Sequence, residues 1–210
     1  MAIALVDYGA GNLTSVRKAF THLGADLYTP ASPDELAAAT AVVVPGVGHF
    51  SATRSLTPDW HAAIRDGLGA GRPLLGICVG MQWLYEGSTE APECPGLGVI
   101  PGRCTRLTGG PTRLKVPHVG WNTLDTAKPS HLLQGLGEQP NVYFTHSFAG
   151  PVNAATAAAT EYGGETFAAA VEDGFVMGVQ FHPEKSSGAG LSILGNFLER
   201  VAALARTVRR

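Results

Sequence analysis

Two short stretches carry residue types that could do covalent chemistry together. The first is Gly76-Ile77-Cys78-Val79-Gly80, which closes the apolar run Pro73 to Ile77 and opens a helical pattern. A nucleophile on a tight strand-to-helix turn, with glycine on both sides, is the nucleophile-elbow pattern, here with cysteine in the serine place. The glycines let neighbouring backbone pass close to the turn without a Cβ in the way. Such a turn strains the backbone at Cys78 and lifts the sulfur above the sheet. It also sets the sulfur at a helix N-terminus, where the dipole favours the thiolate. The N–H of Val79 then points to where an oxyanion would form. The second stretch is Gln180-Phe181-His182-Pro183-Glu184. A thiol needs a base, and the base needs one tautomer held by a third group. His182, at a strand end, can reach the elbow of a neighbouring strand. Pro183 turns the chain, and Glu184 can then fold back to hold one imidazole N–H.

Other residues compete for these roles. Cys94 and Cys104 lack flanking glycines and read as buried structural thiols. His118, in Lys115-Val116-Pro117-His118, and His146, at the end of the run Val142 to Thr145, have no carboxylate close by in sequence. His182 is favoured over both, although a distant carboxylate could serve either. Pro45-Gly46-Val47-Gly48 follows another apolar run, and Val47 or Gly48 could bring a second N–H to the oxyanion. A phosphate-binding loop is the alternative reading. The dinucleotide fingerprint fails, because Thr14 stands in the last glycine place after Gly9-Ala10-Gly11, and Ser51 does after Gly46-Val47-Gly48.

These residues need a sheet to position them. Ile3 to Asp7, Leu27 to Thr29, Ala41 to Val44 and Pro73 to Ile77 read as strands, the last two buried on both faces. Between them, Leu13, Val16, Phe20 and Leu23 share one helical face after Asn12, and Gly24 stops that helix. Ser32-Pro33 reads as a helix start, and Trp60 to Leu68 and Met81 to Tyr85 as further helices. Alternation of this kind implies a parallel sheet flanked by helices. The second half is richer in strands: Leu97 to Ile100, Arg103 to Leu107, Val119 to Thr123, Val142 to Thr145, Thr156 to Tyr162, Phe167 to Glu172 and Phe175 to Phe181. Asp173-Gly174 reads as a two-residue hairpin turn. A last helix carries Leu191, Leu194, Leu198 and Val201 in register, and the basic tail Arg206 to Arg210 is expected to fray.

Bulk properties narrow the class. A chain of 210 residues is expected to form one domain, residues 1–210. With 15 basic against 17 acidic residues there is no field for nucleic acid. No apolar run approaches the ~20 residues of a membrane span, and the N-terminus reads as a first strand rather than a leader. Three cysteines without metal-type spacing suit neither a disulfide scaffold nor a metal site, and a reduced, cytoplasmic compartment fits.

Taken together, the segments resemble the class I, or triad, glutamine amidotransferases. Asp7-Tyr8-Gly9-Ala10-Gly11-Asn12-Leu13, Pro45-Gly46-Val47-Gly48, Gly76 to Gln82, Pro117-His118-Val119-Gly120-Trp121-Asn122, His146-Ser147 and Gln180 to Ser186 carry the likeness, in order along nearly the whole chain. The elbow and His-Pro-Glu mark the superfamily. Pro-Gly-Val-Gly, Gly-Trp-Asn and His-Pro-Glu-Lys-Ser look like the branch formed by the glutaminase subunits of imidazole glycerol phosphate synthase. Val79 stands where leucine is common in that branch, and Phe148 where tyrosine is common.

The resemblance implies an α/β fold with a largely parallel central sheet and extra antiparallel strands in the second half. It implies L-glutamine as substrate, no cofactor, and a triad of Cys78, His182 and Glu184. Gln82, Gly48 and Glu90 would bind glutamine, with Thr145-His146-Ser147 helping through their backbone. Asn12, Trp121, Tyr143 and Lys185 would face a (β/α)8-barrel cyclase subunit that receives ammonia for histidine biosynthesis. It further implies that partner binding turns on the glutaminase, for which a peptide flip in Pro45-Gly46-Val47-Gly48 is a physically reasonable switch. The alternatives are a glutaminase serving another synthase, a hydrolase of another amide or peptide bond, and a non-catalytic domain on the same fold.

Overall fold

A computed structural model of the chain describes residues 2–207. Met1 and the end of the basic tail, Val208 to Arg210, lie outside the described residues. The first half runs β1 (Ile3–Leu5), α1 (Leu13–His22), β2 (Leu27–Tyr28), β3 (Ala41–Val44), α2 (Pro58–Gly69), β4 (Leu74–Ile77) and α3 (Val79–Leu84). The second half adds β5 (Thr105–Arg106), β6 (His118–Thr123), β7 (Asp125–Thr126), β8 (Asn141–His146), β9 (Phe148–Ala149), β10 (Thr156–Tyr162), β11 (Glu165–Asp173), β12 (Val176–Val179) and α4 (Ser187–Thr207).

Eight strands form one sheet in the order β2-β1-β3-β4-β12-β11-β10-β7. The five from β2 to β12 are mutually parallel, and β11, β10 and β7 add on antiparallel. Every residue of β3, β4 and β12 is buried, as strands covered on both faces must be. Phe20 of α1 meets Phe197 of α4 edge to face, joining the first and last helices. The pairing that matters most is β4 with β12, where Ile77 lies opposite Val179. These neighbouring strands therefore end at the same level, and the chain leaves them as Cys78 and as Gln180 to His182.

Several expectations need correction. Leu97 to Ile100 is no strand: the N–H groups of Leu97, Gly98, Val99 and Ile100 go to carbonyls of Trp83, Tyr85 and Leu84, so this apolar run closes the open end of α3. Arg103 to Leu107 shortens to the two residues of β5, which pair with β9 outside the main sheet. Ser32 caps no helix with its side chain, and Pro33–Ala38 is a 3-10 turn. The chain leaves it early because Thr40 is tied to Ala2 by its N–H at 2.7 Å and its hydroxyl at 3.0 Å. The hairpin turn is Gly174-Phe175 rather than Asp173-Gly174, because Asp173 pairs with Val176. Gly174 takes the left-handed position that such a turn demands, at φ +60°. β6 and β8 do not join the sheet. They pair only with each other, from His118↔His146 to Thr123↔Asn141, as a two-stranded ribbon.

Candidate active site

Cys78 sits between β4 and α3 with φ +54° and ψ −110°, a conformation that side chains rarely take. Its neighbours show why the turn needs glycine. A Cβ on Gly76 would lie 2.6 Å from the carbonyl oxygen of Gly80, and one on Gly80 would collide with the carbonyl oxygen of Val44. The backbone N–H of Cys78 bonds the carbonyl of Val179 on β12 at 2.8 Å, which ties the elbow to the strand leading to His182. Val79 is the first residue of α3, and its N–H is one that a helix cannot satisfy internally.

The imidazole of His182 meets Glu184 through Nδ1 and Oε1 at 2.8 Å, and both side chains are 1% exposed. With Nδ1 taken, Nε2 is the nitrogen left for proton exchange, and it has no hydrogen-bond partner. Burial alone would depress the imidazolium. The sulfur of Cys78 and the carboxylate of Glu184 outweigh it and push His182 up to about 10. Cys78 thus stands beside the imidazole. The other buried histidines differ. Nδ1 of His118 lies 3.2 Å from Nε2 of His146, whose own Nδ1 lies 2.9 Å from the carbonyl of Phe148. Only a donating Nδ1–H suits a carbonyl, so His146 donates there and accepts from His118. Burial depresses both, to about 4 for His118 and about 3 for His146. This neutral pair has no carboxylate partner.

Beside the sulfur is a cavity of about 210 Å³, which is lined by Gly48, Cys78, Val79, Gln82, Glu90, Pro117 and Thr145 to Phe148. It is smaller than the ~300–1,000 Å³ of drug-sized pockets and suits a small metabolite. Gln82 is buried, and its amide nitrogen bonds the carbonyl of Phe148 at 2.8 Å and Oε1 of Gln180 at 3.2 Å. Both N–H groups are thus used, and only its oxygen remains for a ligand. Glu90 accepts from the N–H of Phe50 at 2.7 Å, which anchors the chain just after Gly48.

The class-I glutamine amidotransferase family matches residues 4–201 of this chain. The chain belongs to that family. Among curated relatives, it is 44% identical to the imidazole glycerol phosphate synthase subunit HisH of Methanothermobacter thermautotrophicus, over 96% of this chain and all of the relative. It is also 44% identical to the HisH subunit of Salinibacter ruber, over 92% of both chains. Among solved structures, a chain of PurLQS from Thermotoga maritima superposes with a TM-score of 0.71 at 18% identity, over 95% of this chain and 98% of the other. At that identity the likeness concerns the fold alone.

In this glutamine amidotransferase, every residue expected to bind glutamine lines the same cavity as Cys78: Gly48, Gln82, Glu90, Thr145, His146 and Ser147. Val79 lines it too, whereas Val47 and His182 do not. Gly46 explains how the Pro45 to Gly48 loop lies so near the elbow, since a Cβ there would be 2.8 Å from that of Val79. Trp121, Tyr143 and Lys185 gather outside the cavity. The Trp121 and Tyr143 rings meet edge to face at 6.0 Å, and the Lys185 ammonium lies 5.9 Å from the Tyr143 ring centre. Asn12 caps α1, accepting from the N–H of Ser15 at 3.2 Å.

Three residues near Cys78 and His182 were given no role by the sequence reading. Gln180 approaches the sulfur, with Nε2 3.7 Å from Sγ. Its signal was visible as the lone polar side chain in the run Phe175 to Phe181. Ser186 accepts from the N–H of Tyr143 at 2.9 Å and donates to the carbonyl of His182 at 2.6 Å. Tyr8 buries a hydroxyl without a partner, and burial, with Cys78 nearby, raises its pKa. Nothing in the spacing pointed to either.

Proposed function

We propose that this chain, residues 1–210, acts as a single unit, the glutaminase subunit of a cytoplasmic imidazole glycerol phosphate synthase. One observation carries the chemistry: a thiol on a strained strand-to-helix turn opens into a small cavity, while a buried His–Glu pair extends from the next parallel strand. The relatives named above carry the assignment to this synthase.

The Cys78 thiolate attacks the side-chain carboxamide of glutamine. The tetrahedral oxyanion rests on the N–H of Val79 and on an N–H of the Val47–Gly48 loop. His182, oriented by Glu184, gives its proton to the leaving ammonia. Water activated by the same imidazole then releases glutamate from the thioester. The oxygen of Gln82 and the carboxylate of Glu90 offer acceptors to the substrate's ammonium group. Ammonia must reach a second active site before it is protonated in bulk water, because the ammonium ion is not a nucleophile. The partner is a cyclase with a (β/α)8-barrel fold, held as a heterodimer at the face that carries Trp121, Tyr143 and Lys185, with Asn12 at its margin.

Co-purification with such a cyclase, followed by a cyclisation assay, tests the reading. Glutamine and added ammonia should both drive the reaction in the complex, and only ammonia should do so when this chain is left out. A complex that uses ammonia but never glutamine would sink it.

A further inference from the structure

Gln180 is fully buried at the level of Cys78 on the adjacent strand, and the steps described so far leave it without a role. The polarity of its amide follows from its neighbours. The carbonyl of Phe148 can only accept, and it lies 2.8 Å from the amide nitrogen of Gln82 and 2.9 Å from Nδ1 of His146. Gln82 must therefore turn its NH2 towards that carbonyl. The same NH2 faces Gln180 at 3.2 Å, so Gln180 must answer with its oxygen. Its own NH2 is then left to point at the sulfur, at 3.7 Å. Reversing either amide would set donor against donor or oxygen against oxygen in a dry interior, where an unsatisfied polar group is costly. One orientation survives along the whole chain of groups.

We propose that Gln180 is a further catalytic residue of this site, whose amide N–H, locked in direction by Gln82 and the Phe148 carbonyl, holds the Cys78 sulfur and favours its anionic form. A donor aimed at sulfur stabilises a thiolate more than a thiol, because the bond is then charge-assisted. The inference rests on Cys78 as the nucleophile.

Alkylation of Cys78 by iodoacetamide at neutral pH gives a first readout that needs neither glutamine nor a partner. Peptide mapping separates Cys78 from Cys94 and Cys104. Gln180→Glu keeps the size and still accepts from Gln82, but presents an oxygen to the sulfur. Gln180→Met keeps the size and removes the donor without adding charge, which covers the case in which a buried carboxylate prevents folding. Alkylation should slow about tenfold or more in Gln180→Glu and severalfold in Gln180→Met, with a matching fall in kcat for glutamine and little change in KM. A merely structural role would lower the unfolding midpoint and leave the alkylation rate of the folded protein unchanged. Wild-type rates in both variants would overturn the proposal alone. A wild-type Cys78 that resists alkylation altogether would overturn the nucleophile reading with it.

Discussion

The carboxyl edge of the parallel strands and the β6–β8 ribbon border the same cavity on different physical terms. At the edge, β3, β4 and β12 bury every residue, and the turn at Cys78 is squeezed between glycines with no room for a Cβ. The ribbon alternates instead. His118, Phe144 and His146 face inwards, while Val119 and Trp121 on the other face are 56% and 52% exposed. The two regions meet where the N–H of His182 bonds the carbonyl of Tyr143 at 2.9 Å, and where Ser186 bridges the same two residues. The lesson is a division of labour. Candidate bond-making groups stand on the close-packed element, and the element with a spare face presents aromatic groups outwards, one hydrogen bond away from His182.

That contrast can be broken or sharpened in graded steps. The largest effect is expected at the sulfur. Cys78→Ser should cut glutamine hydrolysis on the order of a thousandfold or more, measured as glutamate release. Ammonia-driven turnover by the partner should persist. Next comes the packing that holds the turn. Gly80→Ala drives a Cβ into the Val44 carbonyl, and should cost about 3 kcal/mol in denaturant unfolding. Survival of that variant at full stability would show the edge to be looser than described.

A smaller change concerns charge. His182 lies well above the ordinary imidazole value, so the stability gained from its contacts is complete below pH 6.5 and lost as pH rises through about 10. Glu184→Gln removes one of the groups that raise it, so the NMR titration midpoint of His182 and the alkaline loss of stability should both move to lower pH. Turnover of glutamine should fall about tenfold to a hundredfold. The smallest effect on the fold is expected on the ribbon's open face. Trp121→Ala should change unfolding by no more than about 0.5 kcal/mol, yet weaken binding of the partner by about 2 kcal/mol. A large loss of stability there would erase the distinction between the two regions.

Much of the site was legible in the sequence. Glycines flanking a cysteine after an apolar strand predicted the strained turn, because only a crowded strand-to-helix junction needs both. His-Pro-Glu predicted a base and its orienting group, because proline turns the chain back within two residues. The second half was harder to read. Leu97 to Ile100 has the composition of a strand, but its N–H groups serve the end of α3, and short apolar runs do not reveal which carbonyls they will meet. Gln180 was visible as an odd polar residue in an apolar run, without any sign of what it would touch.

Residue type and local spacing by themselves marked Cys78, His182 and Glu184 as candidates for nucleophile, base and orienting group, and determined the parallel half of the sheet. These rest on steric and electronic needs that operate within a few residues. Only the tertiary structure decided that β4 and β12 lie side by side and end level, that His118 pairs with His146 and His146 with the Phe148 carbonyl, and that two glutamine amides align on the sulfur. Each depends on which distant strands pair and in what register, and that choice follows from burying the whole core at once rather than from any one segment.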